Sequence, residues 1–143
     1  MSHYSKVKTK MMKISALSTA LQYMGFKSHM IETSEELMEL KGYAGDMRSQ
    51  KAHVRIKGAG WRGQNYVGGA SNDLGWERNE DGSLSFHVSD YDRTKHNSAW
   101  QDKLAQQYSR AVIEEQVTEN GWELEQVEET EEGFLRLVIN NPY

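Results

Sequence analysis

The stretch "SKVKTKM", residues 5–11, alternates without exception, with Val7, Thr9 and Met11 on one side and Lys6, Lys8 and Lys10 on the other. A period of two defines a strand with one buried and one wet face. The chain must therefore supply an apolar layer against Val7 and Met11. Directly afterwards the period changes: Ile14, Leu17, Leu21 and Met24 recur at helical spacing, and Gly25 stands where a left-handed C-cap belongs, followed by apolar Phe26. A strand that hands over at once to an amphipathic helix restricts the chain to mixed architectures.

The rest of the chain extends this pattern. "ETSEELMELKGYAGDMRSQ" reads as a polar connection with one helical turn around Glu35–Leu40, whereas "AHVRIKG" alternates Ala52, Val54 and Ile56 against His53, Arg55 and Lys57, a second half-buried strand. Two β-favouring runs flank "NEDG", where Asp81-Gly82 signals a hairpin. Residues 98–120 form the longest helical segment, capped by Ser98 and stopped by Gly121, with Trp100, Leu104, Tyr108, Ala111 and Val112 on one face. "WELEQVEE" and "FLRLVIN" make a last pair of β-like runs around "TEEG". Trp76, Phe86, Trp122, Phe134 and Leu137 are expected to join the core. The order predicts an α+β fold, an antiparallel or mixed sheet with two main helices packed on one face, roughly ferredoxin-like. With 143 residues and no internal repeat, a single domain over 1–143 is expected, with a glycine-rich loop inserted at 58–72.

Composition narrows the chemistry. The chain has no cysteine, which removes disulfides, thiolate metal sites and thiol catalysis, and a cytoplasmic location is expected. No stretch approaches the ~20 apolar residues of a membrane span. Seventeen Lys and Arg against 21 Asp and Glu leave a net charge of −4, which argues against a general nucleic-acid binder. That charge is unevenly spread: residues 1–31 hold five lysines and no acid, while nine glutamates and no cation lie between Arg110 and Arg136. If the last hairpin lay beside the first strand, the two blocks would neutralise one another across the sheet.

Several blocks, "MSHYSKVKTKM", "LSTALQYMG", "KGYAG…KAHVRI", "DLGWERNEDGSLSFHVSD" and "QQYSRAVIEEQVTENGWELEQVEETEEGFLRLVI", together resemble the hypothetical chloroplast open-reading-frame thirty-five family of plastids, cyanobacteria and other bacteria. That resemblance implies a small soluble protein with no established activity, in the plastid stroma or cytoplasm, or in a host cytoplasm if phage-borne. It also implies a protein partner, an AAA-type ATPase by the company its genes keep. The chain departs from the family pattern in "GAGWRGQNYVGGASN" and at His87.

Three functions follow from the residues. The first is an accessory or regulatory binding protein whose contact surfaces are the lysine strand, with Lys6, Lys8 and Lys10 about 6 to 7 Å apart, and the glycine-rich loop. The second is a nucleotide-like anion binder. There Trp61, Arg62 and Tyr66, among five glycines, would stack on a base or grip a phosphate beside Arg55 and Lys57, although no Gly-Lys-Ser/Thr closes the loop as in a Walker motif. The third is a phosphoester enzyme built on two His-x-Ser triplets, His3-Tyr4-Ser5 and His87-Val88-Ser89, similar to those of two-histidine phosphoesterases, in which one imidazole accepts a proton while the other donates. The residues that follow, Lys6 and Asp90, are not the apolar ones which that motif expects. Asp90, Asp92 and His96 are a further candidate set for a divalent cation, against the alternative that they form turns and caps. No cofactor is implied.

Overall fold

The computed structural model describes residues 3–61 and 70–141. In chain order the elements are β1 (Tyr4–Lys8), α1 (Ile14–Tyr23), β2 (Ile31–Lys41), β3 (Met47–Ile56), β4 (Leu74–Arg78), β5 (Leu84–Ser89), α2 (Ser98–Glu119), β6 (Glu123–Glu129) and β7 (Leu135–Asn140), with 3-10 turns at Ser28–Met30, Ala59–Trp61 and Asp92–Thr94. Five strands form one antiparallel sheet in the order β1-β5-β4-β3-β2, and β6 and β7 form a separate hairpin. The class is α+β, as the order of periods predicts.

Strand parity sorts the side chains. Val7 lies opposite Phe86, Phe86 opposite Trp76, and Trp76 opposite Val54, so these residues share one face. On it Trp76 and Phe86 stack with centroids 4.7 Å apart, and Phe86 stacks on Trp100 of α2 at 5.8 Å. Leu17, Ala20 and Leu21 of α1 and Leu104 of α2 complete this core. The helix ends follow local chemistry. Gly25 adopts φ 109°, and Phe26 donates back to the Leu21 carbonyl at 3.1 Å and packs on the core. At the start of α2 the cap is Asn97 rather than Ser98: its side chain accepts from the Trp100 amide at 3.0 Å.

The segment read as a polar connection is instead a strand. β2 is rich in Glu, Leu and Met, and its register shifts between Thr33 and Met38, so no period of two survives in the sequence. Beyond that irregularity the β2–β3 hairpin folds back over the second face of the sheet: the Lys41 carbonyl accepts from the Asp73 amide at 3.0 Å, although β3 separates β2 from β4 in the sheet order. Gly75 permits this, because a Cβ there would stand 2.8 Å from the Ala52 Cβ and 2.9 Å from a Leu40 methyl. The second face is thus covered at Gly75, while Lys6 and Lys8 on the β1 edge are exposed.

The lysine strand is not neutralised by the C-terminal hairpin. β1 pairs with β5 alone, and its partners are closer in sequence: Lys8 meets Asp81 at 2.8 Å and Lys6 lies 3.7 Å from Glu77. Lys13 reaches Glu115 of α2 at 2.8 Å. Phe134 does not join the core, being 62% exposed, and Trp122 and Leu137 are half-buried. Among the described residues no helix is long and apolar enough to cross a membrane.

Candidate functional site

The three residues Ser71-Asn72-Asp73 enter β4 through a buried polar knot. The Asp73 carboxylate accepts from the Gly58 amide at 2.8 Å, the Lys41 amide at 2.9 Å and the Trp61 indole N–H at 3.0 Å. Its backbone carbonyl accepts from the Tyr4 hydroxyl at 2.6 Å. Burial pushes the Asp73 pKa up, and the donors from Gly58, Trp61 and Lys41 reduce that rise without cancelling it. Burial, reinforced by the Asp73 charge, likewise raises Tyr4.

Asn72 and Asp92 tie the neighbouring loops to the same point. The Asn72 Oδ1 accepts from the Tyr43 amide at 2.8 Å, and its Nδ2 donates to Ser89 Oγ at 2.9 Å. Asp92 accepts from the Ser71 and Asn72 amides at 2.8 and 2.9 Å and from the Ser89 hydroxyl at 2.8 Å. Buried polar groups that are this fully bonded fix one arrangement of the chain. Gly60 completes the packing, since a Cβ there would overlap the Gly42 carbonyl oxygen. The β2–β3 tip, the turn at Ala59–Trp61 and the turn at Asp92–Thr94 are therefore held as one unit.

On this knot sits a cation-crowded indole. Around the Trp61 ring, Lys41 Nζ lies at 3.8 Å, Lys57 Nζ at 3.9 Å and Arg55 Cζ at 5.0 Å. Glu32 accepts from Arg55 at 3.0 Å and lies 3.4 Å from Lys57. Burial raises the Glu32 pKa, but the two cations outweigh it and the net shift is downward. Lys41 has no carboxylate partner among the described residues. The same end of the molecule carries large apolar side chains in solvent, with Tyr43 59%, Met47 58% and Tyr91 65% exposed.

The structure thus brings together Arg55, Lys57 and Trp61 of the expected binding set, while Arg62 and Tyr66 lie outside the described residues. Lys6 and Lys8 lie instead along the β1 edge of the sheet, paired with Glu77 and Asp81, and Lys10 is an exposed residue beyond β1. Lys41, Asn72 and Asp73 were not anticipated. Their signal was the Asx pair "ND" just before an apolar strand, a sequence that equally suits an ordinary turn.

The catalytic and metal sets do not assemble. His87 pairs with Lys6, and the His3 carbonyl, three residues before Lys6 and just ahead of β1, accepts from the Asp90 amide at 2.7 Å. Three residues separate them by ~10 Å and put them on opposite faces. His3 is exposed, whereas His87 is buried with Nε2 2.8 Å from Glu77 Oε1, so the two imidazoles cannot share a phosphodiester. Glu77 is lowered on balance, burial being outweighed by the His87 bond and Lys6. Asp92 is occupied by backbone and hydroxyl donors, Asp90 is exposed, and His96 packs edge-on against Trp100 at 4.6 Å. Among the described residues no group of three His, Cys, Asp or Glu side chains converges for a metal.

No curated protein and no solved structure matches the chain. The family comparison corrects the resemblance drawn from the sequence blocks: the matching model is that of a protein of unknown function (DUF1257), and it shows no link to the chloroplast open-reading-frame thirty-five family. The AAA-type ATPase, expected through that resemblance, loses its support with it. The model spans residues 20–138, from within α1 to within β7, and the chain belongs to the DUF1257 family.

Proposed function

We propose that this chain is a binding or accessory protein that docks an acidic protein partner on the end of the sheet formed by Trp61, Lys41, Tyr43, Met47 and Tyr91. The observation that carries this reading is the contrast within that end: Asn72, Asp73 and Asp92 are fully buried or nearly so and hold the loops, while Tyr43, Met47 and Tyr91 project into solvent. Aromatic residues and Met on a rigid support are the composition of interface centres. Around the Trp61 indole three cations face Glu32 and the buried Asp73, a local positive excess in a chain that is acidic overall, with Asp90 and Asp92 lying on the Tyr91 side of the same end. That excess selects for an acidic surface and steers its approach.

The test is affinity purification from the protein's own cells with three forms of the chain. The wild type and a Lys10→Glu control are expected to retain the same stoichiometric protein, which a Lys41→Glu/Tyr43→Ala double variant loses, and the complex is expected to weaken with salt. Retention by the double variant, or the absence of any stoichiometric protein, overturns the reading. A nucleotide-like anion is the second reading, favoured by the cations on the Trp61 ring. It is supported instead if ATP raises the melting temperature of the wild type and not that of Lys41→Glu.

A further inference from the structure

A second feature lies on the helical side of the sheet, away from Trp61. Beyond β1 the chain leaves the sheet and crosses to α1, and the Tyr108 hydroxyl of α2 accepts from the Met12 and Lys13 amides, each at 2.9 Å. Further along, Trp100 of α2 stacks on Phe86. Between these two clamps the crossing segment and α2 leave a cleft of about 350 Å³, lined chiefly by Met11, Trp76, Phe86, Leu104, Ala105 and Tyr108. The small side chain of Ala105, on the turn between Gln101 and Ser109, helps to keep it open.

The buried part of the lining is apolar apart from the Trp76 indole N–H, and half-buried Thr9 and Gln101 and exposed Lys10 and Ser109 complete it. Trp76 is fully buried, and its Nε1 is a buried donor with no acceptor. Such a donor is costly to leave unpaired, and buried indole N–H groups usually find a partner. Tyr108 adds a second donor: its oxygen takes two amides and its proton remains to be given. An apolar cleft of this size with a few convergent polar groups has the form of a small-molecule site.

We propose that this cleft binds a flat, largely apolar molecule bearing a carbonyl acceptor, which lies against the Trp76–Phe86 stack and accepts from Trp76 Nε1. The stacked rings, 20° from parallel, present a surface suited to an aromatic body. Solvent does not reach Trp76, so the ligand displaces a lining side chain, and Met11, unbranched and flexible, is the one suited to move. The site is separate from the docking surface at Trp61, and neither depends on the other.

The test reads the indole N–H resonances of the full chain by proton–nitrogen correlation NMR, with the Trp76 signal assigned by Trp76→Phe. Two near-isosteric probes are titrated, 2-acetylnaphthalene and 2-ethylnaphthalene, which differ in the acceptor. The expected result is a saturable downfield shift of the Trp76 N–H with the ketone alone, and roughly tenfold weaker binding of the hydrocarbon, the size expected for one hydrogen bond to a buried donor. Ala105→Phe, which fills the cleft, is expected to abolish both. Ser109→Phe, at an exposed position of α2, provides the same block should Ala105→Phe fail to fold. An unmoved Trp76 resonance, equal responses to the two probes, or a shift that persists in the filled variant overturns the proposal.

Discussion

The five-stranded sheet and the C-terminal hairpin are built to the same local rules, yet only one of them makes a core. Both are antiparallel, and both turn through a glycine at positive φ, Gly82 at 87° and Gly133 at 86°. Every residue of β5 is buried, whereas β6 and β7 hold none that is. The difference lies in what covers each face. β5 has Trp100 of α2 against Phe86 on one face. On the other its His87, Ser85 and Ser89 are bonded to Glu77, Asn79 and Asn72, beside β4 where the folded-back β2 covers Gly75. The principal contacts of β6 and β7 outside their own pair are with α2. An alternating pattern therefore prepares a strand for burial, and a second layer is needed to accomplish it. A two-stranded hairpin without such a layer is marginal on its own.

The most severe way to break this contrast is to remove a side chain from the covered sheet. Trp76→Ala deletes the ring at the centre of the Trp76–Phe86 stack, where nothing is exposed and neighbours on both sides must collapse or leave a void. A loss of about 3–5 kcal/mol is expected, measured by urea denaturation. A loss below 1 kcal/mol would mean that the core of the five-stranded sheet is as loosely packed as the hairpin.

The next effect sharpens the contrast through pH. His96 is buried against Trp100, and burial holds its pKa below the ordinary histidine value, while the Asp92 carbonyl and charge oppose that shift without cancelling it. The unfolded chain takes up the proton first, at about pH 6.5. Stability is therefore complete above that pH and declines as the pH falls towards the folded value. His96→Gln is expected to flatten the fall in urea midpoint between pH 7.5 and 5.5. The hairpin contains no histidine. An unchanged slope in the variant would mean that His96 titrates in the fold as it does in solution.

The same contrast explains what could be read in advance. Periods of two and of 3.6 revealed β1, β3 and both helices, because each has one covered face. β2 escaped because its register shift breaks the period and its Glu, Leu and Met residues suit a helix equally well. Arg55, Lys57 and Trp61 were legible as a cation and aromatic cluster. Lys41 and Asp73 were not, since only the folding back of β2 places an amide and an ammonium from residue 41 beside residues 61 and 73. The lysine row met its partners on the β4–β5 strands and turn instead of at the acidic C-terminus, because strand order is set by long-range packing that charge blocks do not specify.

The smallest expected effect probes the uncovered member of the pair. Phe134, 62% exposed at the turn of the hairpin, is a large aromatic that a sequence reader assigns to the core. Its amide is held by the Thr130 Oγ1 at 3.1 Å, and its carbonyl accepts from the Thr130 amide at 2.7 Å, so the turn is fixed by its backbone and not by the ring. Phe134→Ser should therefore change stability by less than about 0.5 kcal/mol, as at other surface sites. The dilution dependence of the urea midpoint gives this variant its force. In a lone chain the midpoints of wild type and variant coincide at every concentration. If wild type gains stability over Phe134→Ser only as concentration rises, the hairpin acquires its missing layer from another copy, and its resemblance to the covered sheet is completed between chains.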